Sequence, residues 1–355
     1  GGPAVASFER ALCETTGARE AVACANGGAR EIPRAADAQV LITPDARRPP
    51  RGARDPRVAR AVEEMSHVRE LSVLREVGSS TVPRAELMRV LEAHVAREVP
   101  RSEIEDETTF LRLLGVLGAD DDYERAVFAA VRRVAGGVYL PERGGLLLPD
   151  DLSEREIGTS LAHEAVHALQ DQHFGLEAFE RYVPGASDTM LARSCLAEGD
   201  ATSATEEDPA DVDGTYVERE LASPYVAGTA FVRALRERGG WAEVDRAWTR
   251  GALTTEQVLH PEKWVSGEAA IEVEAPTFAA LGEGYVRASV DTHGELGLRL
   301  VLEAAMPHAR ATEVASGWGG DRSVVVRRAA TAALAWRVRW DDDASAERAF
   351  HAISA

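Results

Sequence analysis

His163-Glu164-Ala165-Val166-His167 sets two histidines four residues apart with a glutamate directly after the first. On a helix that spacing puts both imidazoles on one face, one turn apart, where they can share a Zn2+ ion at about 2.0–2.1 Å. Glu164 then projects beside the metal and can take a proton from water activated there. The apolar residues Ile157, Leu161, Ala162, Ala165, Val166 and Leu169 give such a helix a buried flank. A catalytic zinc needs three protein donors and one open position. Residues 188–202 read as a second helix on which Leu191, Ser194 or Cys195, Glu198 and Thr202 share a stripe. Glu198 lies 31 residues beyond His167, which leaves room for a loop and an antiparallel return. We expect it to be the third ligand; the alternative is a partly buried glutamate paired with an arginine.

A metal-bound histidine donates its other nitrogen to a carboxylate, hydroxyl or carbonyl. Asp171, one turn beyond His167, and Thr202, one turn beyond Glu198, are the residues expected to orient the ligands. Asp200 faces elsewhere and reads as a hydrogen-bonding or helix-surface residue, and Cys195 as a buried thiol rather than a soft ligand. Amide hydrolysis at such a centre also needs a donor for the developing oxyanion. His260 and Tyr225 are the candidates, with His173 behind them. His260-Pro261 sits in a polar stretch that a proline turns. Residues 317–322 read as a glycine-rich loop, either a structural turn or the means by which Asp321 orients His260.

The elements that must position these residues follow from periodicity. Val58, Val62, Met65, Val68, Leu71 and Leu74 begin a helical pattern that continues at 84–97 and 121–134, with Phe110 to Leu117 ending at a helix stop, Gly118. The period then changes: 136–141 and 146–149 flank the turn 142–145, a short hairpin. Ser153 with Glu156 forms a capping box that opens the helix carrying His163 and His167. Helices are expected at 188–206 and 224–238, with a short one at 241–249. Ser323 to Arg328 and Leu334 to Trp340 alternate as strands, and Ala344 to Ile353 reads as a closing helix.

Composition bounds the function. With 45% hydrophobic residues in 355, the chain can bury a sizeable core in two or three units. A net charge of −19 opposes a phosphate backbone and argues against nucleic-acid binding. No uncharged apolar stretch is long enough to span a bilayer. Residues 27–60 depart from the acidic average, with eight arginines against four acids and interleaved prolines. They read as a solvated linker or as an arm over an acidic groove. Cys13 and Cys24 either close a small loop in an oxidising compartment or are unrelated reduced thiols. Lys263 is the only lysine among the 40 basic residues, an arginine bias from which no function follows.

With its two histidines and a downstream glutamate, the chain resembles the gluzincins, zinc metallopeptidases of the zincin type. His163, His167 and Glu198 match their ligands and Glu164 their base. The resemblance implies an upstream sheet whose edge strand binds extended substrate, and Tyr139 to Pro149 stands where that strand belongs. The chain is more closely similar to a group of largely uncharacterised bacterial zincin-like metallopeptidases, often exported or surface-associated. That likeness rests on His163-Glu-Ala-Val-His-Ala-Leu-Gln-Asp-Gln-His-Phe174, Glu198-Gly-Asp-Ala201, Pro224-Tyr-Val-Ala-Gly228, Gly239-Gly-Trp241, Thr255-Glu-Gln-Val-Leu-His-Pro-Glu-Lys263 and Gly317-Trp-Gly-Gly-Asp-Arg322, and it covers roughly 60–355. The stretch between Ala201 and Pro224 is short for the group, and residues 1–57 lie outside the likeness. No Gly-x-Met-Glu-Asn run, the amine-binding feature of one aminopeptidase branch, is present.

These readings give a mainly helical α+β fold: a zincin-like core with a small sheet above the His-Glu-x-x-His helix, and an α+β C-terminal unit. The expected divisions are an arm or linker (1–57), a helical lobe (58–135), a catalytic core (136–265) and the C-terminal unit (266–355). The expected activity is zinc-dependent endopeptidase cleavage of a peptide or protein substrate, in an exported (periplasmic, cell-surface or secreted) or a cytoplasmic protein. The alternative is a metal-stabilised binding or surface-assembly protein without proteolytic turnover.

Overall fold

A computed structural model describes residues 55–209, 212–250, 253–278 and 283–353. Residues 1–54, with Cys13 and Cys24, lie outside the described residues. The fold is mainly helical α+β, with a small mixed sheet and a C-terminal antiparallel unit. No described helix is long and apolar enough to cross a membrane.

Helix α1 (Pro56–Arg69) starts on Asp55, whose carboxylate accepts the Arg57 N–H at 2.8 Å, with Pro56 in the first turn, where no N–H is needed. It is followed by β1 (Gly78–Val82), α2 (Arg84–Glu98), α3 (Arg101–Leu113) and α4 (Tyr123–Val134). Strand β1 was not legible in its Gly-Ser-Ser-Thr-Val sequence, because its place comes from pairing parallel to a later strand. Helix α3 ends before Gly118, because Gly115 takes φ 73° and Val116 N–H turns back to the Leu111 carbonyl at 3.0 Å.

The hairpin β2 (Val138–Leu140) and β3 (Gly145–Pro149) turns through residues 141–144, where Gly144 has φ 59°. The sheet order is β1-β3-β2, so β2 is an edge strand, antiparallel to β3. Helix α5 (Glu154–Phe174) opens with the Ser153–Glu156 capping box in place. It is buried around most of its circumference from Leu161 to Phe174, so it runs through the core rather than over it.

After α6 (Leu176–Phe179) come α7 (Ser187–Ala204) and α8 (Tyr216–Gly239). Helix α8 begins two turns before Pro224, the expected start, on a Thr215–Glu218 capping box. A proline inside a helix leaves the carbonyl four residues back without its N–H. Here that carbonyl is Glu220, and the Ser223 hydroxyl donates to it at 2.8 Å, which lets the helix continue. Helices α9 (Trp241–Thr249), α10 (Thr255–Leu259) and α11 (Pro261–Ser266) follow, with His260-Pro261 separating the last two.

The C-terminal unit contains β4 (Val286–Asp291), α12 (Gly294–Leu302), α13 (His308–Ala315), β5 (Trp318–Arg328), β6 (Thr331–Trp340) and α14 (Asp343–Ile353). Its three strands pair antiparallel in the order β4-β5-β6. Most of the stretch 317–322, expected as a loop, is the first half of β5, paired with the end of β6 across a bulge. Its glycines serve a close backbone approach: the Ile271 N–H donates to Gly319 O at 2.6 Å, and a Cβ on Gly320 would meet Ile271 O at 2.1 Å.

Two cores result. One gathers apolar side chains of α1, α5, α7, α8 and α9. The other joins α3, α12, α13 and α14 to β5 and β6. Arg69, fully buried at the end of α1, donates to Asp200 Oδ1 and Asp245 Oδ1, each at 2.6 Å, and stacks on Trp241 at 4.4 Å. Trp248 Nε1–H donates to the other Asp200 oxygen at 2.9 Å. Asp200 thus takes the hydrogen-bonding role open to it from sequence, and ties α7 to α1 and α9.

Candidate metal centre

Helices α5 and α7 bring His163, His167 and Glu198 together. His163 Nε2 lies 3.0 Å from Glu198 Oε2 and 3.1 Å from His167 Nε2, and His167 Nε2 lies 3.4 Å from Glu198 Oε2. Three donors on a tetrahedral ion with bonds of about 2.0–2.1 Å stand about 3.3 Å apart, so this donor triangle is the right size for such an ion. The group can hold a metal ion. The three side chains keep 10–22% of their exposure, so the centre is reachable from solvent. Burial works against a charged His167 imidazole, but the adjacent Glu198 carboxylate outweighs it and pushes the pKa up to about 10. Charge from the histidines holds the Glu198 carboxyl well below its usual range despite burial.

Beside Glu198, α7 and α8 approach closely. A Cβ on Gly199 would stand 2.1 Å from the Gly228 carbonyl carbon, and one on Gly228 would stand 1.9 Å from Cys195 O. Only glycine on both helices permits this contact. Gly228→Ala is expected to force the helices apart at a cost of about 3 kcal/mol, read as a lower urea midpoint with unchanged slope. An unchanged midpoint would contradict the close packing. Cys195, beside this contact, is a buried free thiol.

The surroundings depart from expectation in an informative way. His167 Nδ1 is 2.8 Å from Gln170 Oε1, and Gln170 Nε2 donates to Ala197 O at 3.0 Å. The fully buried Gln170 therefore fixes His167 with Nδ1 as donor and Nε2 turned to the centre, and also grips the residue preceding Glu198. Its position one turn beyond His167 was available in the sequence, but an amide lacks the charge that drew attention to Asp171. Gln170→Leu is expected to weaken metal affinity about tenfold or more, measured by chelator competition. Affinity within twofold of wild type would remove that role.

Asp171 turns to the other side of the helix. It accepts the Tyr139 hydroxyl at 2.8 Å and pairs with Arg75, latching β2 onto α5. Glu164, buried to 8% exposure, accepts the Tyr139 backbone N–H at 2.6 Å, so one strand residue holds both this carboxylate and Asp171. Thr202 is buried, and its hydroxyl has no hydrogen-bond partner among the described residues.

Tyr225 lies with its ring stacked on His163 at 6.0 Å and is partly exposed. The Glu198 carboxylate, helped by burial, raises its phenol well above the ordinary range. His260 pairs with Glu295 at 3.0 Å, a hydrogen bond that raises its pKa, and Glu262 and Lys263 are further ionic neighbours. It makes no described polar contact with the triad. Asp321 does not reach His260: its buried carboxylate accepts the indole N–H groups of Trp318 and Trp336 at 3.0 and 2.8 Å and the backbone N–H of Gly294 at 2.9 Å. His173 Nε2 lies 2.8 Å from Ser72 O. A second acidic group, Glu256, Glu268 and Asp341, already encloses the Lys263 ammonium at 2.6, 2.8 and 2.7 Å.

Comparison with known proteins bears on the C-terminal unit, whose strands and helices run from β4 to α14. Residues 280–355 match a domain of unknown function, DUF8575. The DUF8575 segment lies beyond His163, His167 and Glu198, so the match describes none of the donors. No curated protein and no solved structure matches the chain.

Proposed function

We propose that this chain is a zinc metallopeptidase of the gluzincin type, acting within peptide chains. The observation that carries the reading is a His-His-Glu donor triangle of tetrahedral size with a second acidic residue, Glu164, held next to it by the edge strand. Two imidazoles and one carboxylate form a donor set typical of catalytic zinc, and the pinned Nδ1 of His167 leaves Nε2 free to bind. Bound zinc would supply Lewis acidity toward a carbonyl and make water a stronger acid.

The chain's own residues divide the remaining work. Glu164 receives the proton of the attacking water and returns it to the leaving amine, a shuttle whose carboxylate is oriented by the Tyr139 N–H. The Tyr225 hydroxyl, kept protonated by the neighbouring Glu198 carboxylate, serves as a hydrogen-bond donor to developing oxyanion charge. β2 has no further strand on its outer side among the described residues, so an extended peptide can add there.

Digestion of a diverse peptide library by zinc-loaded protein, read by mass spectrometry, tests this. Internal cuts that disappear on chelation are the expected result. Absence of cuts with one zinc bound per chain would favour a metal-stabilised binding protein.

A further inference from the structure

Glu198 stands beside the glycine-on-glycine crossing of α7 and α8, a contact without side chains to key the rotation of α7. Rotation matters for a ligand: a side-chain tip about 5 Å from the helix axis moves about 2 Å when the helix turns by about 20°. Metal–ligand distances tolerate only about ±0.2 Å. Gln170 and Arg69 grip the C-terminal half of α7 through Ala197 and Asp200. Its first turn is held from another part of the chain.

Asp291, the last residue of β4, accepts the Ser187 N–H at 3.0 Å and the Ser187 hydroxyl at 2.5 Å. Thr292 O accepts the Asp188 N–H at 2.8 Å. The Asp188 carboxylate in turn accepts the Thr255 N–H and hydroxyl at 2.8 and 2.6 Å, and the Thr255 oxygen accepts the Leu296 N–H at 3.1 Å. Arg322 adds bonds to Gly185 O at 3.3 Å and Thr292 Oγ1 at 2.8 Å. Gly294 is required at this junction: its φ is 75°, and a Cβ would stand 1.8 Å from Asp188 Oδ1. Two further links, Glu295 to His260 and Asp341 to Lys263, fasten the same unit to the 255–266 segment.

We propose that the DUF8575 unit is a buttress for the metal centre: through Asp291 and Thr292 it sets the rotation of α7 and thereby the reach of Glu198. The inference rests on the metal reading of the triad. Ser187 and Asp291 act as positioning residues, without touching the metal or its ligands.

The test is zinc affinity of the full chain, by chelator competition, beside the melting temperature of the metal-free protein. Asp291→Ala removes three acceptor contacts and is expected to weaken zinc binding about tenfold at a temperature where the metal-free protein is fully folded. Asp291→Asn keeps an oxygen for the Ser187 N–H and an amide for its hydroxyl, and is expected to restore affinity to within about twofold. Ser187→Ala, a milder change, is expected to weaken binding about threefold and decides the matter should Asp291→Ala not fold. A lower melting temperature with zinc affinity unchanged in both Asp291→Ala and Ser187→Ala would overturn the buttress and leave the metal reading standing. Failure of the wild type to bind zinc would overturn both.

Discussion

Glu164→Gln is expected to bind zinc within a few-fold of wild type while cleaving peptides about a thousandfold more slowly. The amide matches the carboxylate in shape, and its oxygen can still accept the Tyr139 N–H that the structure places at 2.6 Å. The buried site is therefore not left with an orphaned donor, and folding should be preserved. What is lost is the ability to accept a proton, which an amide lacks at any working pH. Measured zinc content of one ion per chain with turnover reduced as stated would separate proton transfer from metal binding. Turnover within tenfold of wild type would mean that another group is the base.

Glu198→Ala should act at the other step. Removing one of three donors is expected to weaken zinc binding by about a thousandfold, more than the loss of a residue that only orients a ligand. The same change removes the carboxylate that pushes His167 up to about 10. For a histidine with a raised folded-state pKa, the added stability is complete below its unfolded value of about 6.5 and is lost as pH rises through the folded value. Metal-free wild type should therefore lose stability between about pH 6.5 and 10, and metal-free Glu198→Ala should lose much less. Titration of zinc against both proteins, with urea midpoints at pH 6 and pH 10, checks the two parts. Equal zinc affinity in the variant would show that Glu198 is not a ligand.

Much of the local architecture could be read from short-range pattern. The capping box at Ser153, the hairpin turn before it and the break at His260-Pro261 depend on neighbouring residues, and such signals survive without tertiary context. Strands β1 and β4 were missed for the opposite reason. Each is held by a partner distant in sequence, β1 by β3 and β4 by β5; β1 carries little apolar alternation of its own, whereas β4 alternates over only six residues, Val286 to Asp291. Pro224 pointed to a helix start because the rescue of Glu220 O by the Ser223 hydroxyl is a side-chain event that periodicity does not register. Asp171 and Asp321 drew attention as carboxylates near candidate histidines. Their actual partners, Tyr139 with Arg75 and the two indoles, come from other elements.

The sequence by itself determined that His163 and His167 share a helix face and that Glu164 lies beside them, because a helix of 3.6 residues per turn converts spacing directly into direction. It also contained the mainly helical α+β character, through the change of period along the chain. Only the tertiary structure decided that α7 approaches α5 closely enough for Glu198 to complete the triangle, and that α7 meets α8 glycine on glycine beside it. It likewise decided that Gln170 orients His167 and that the C-terminal unit grips the first turn of α7. Distances between helices depend on which side chains are absent at their contacts, and no spacing within one helix records what its neighbour lacks.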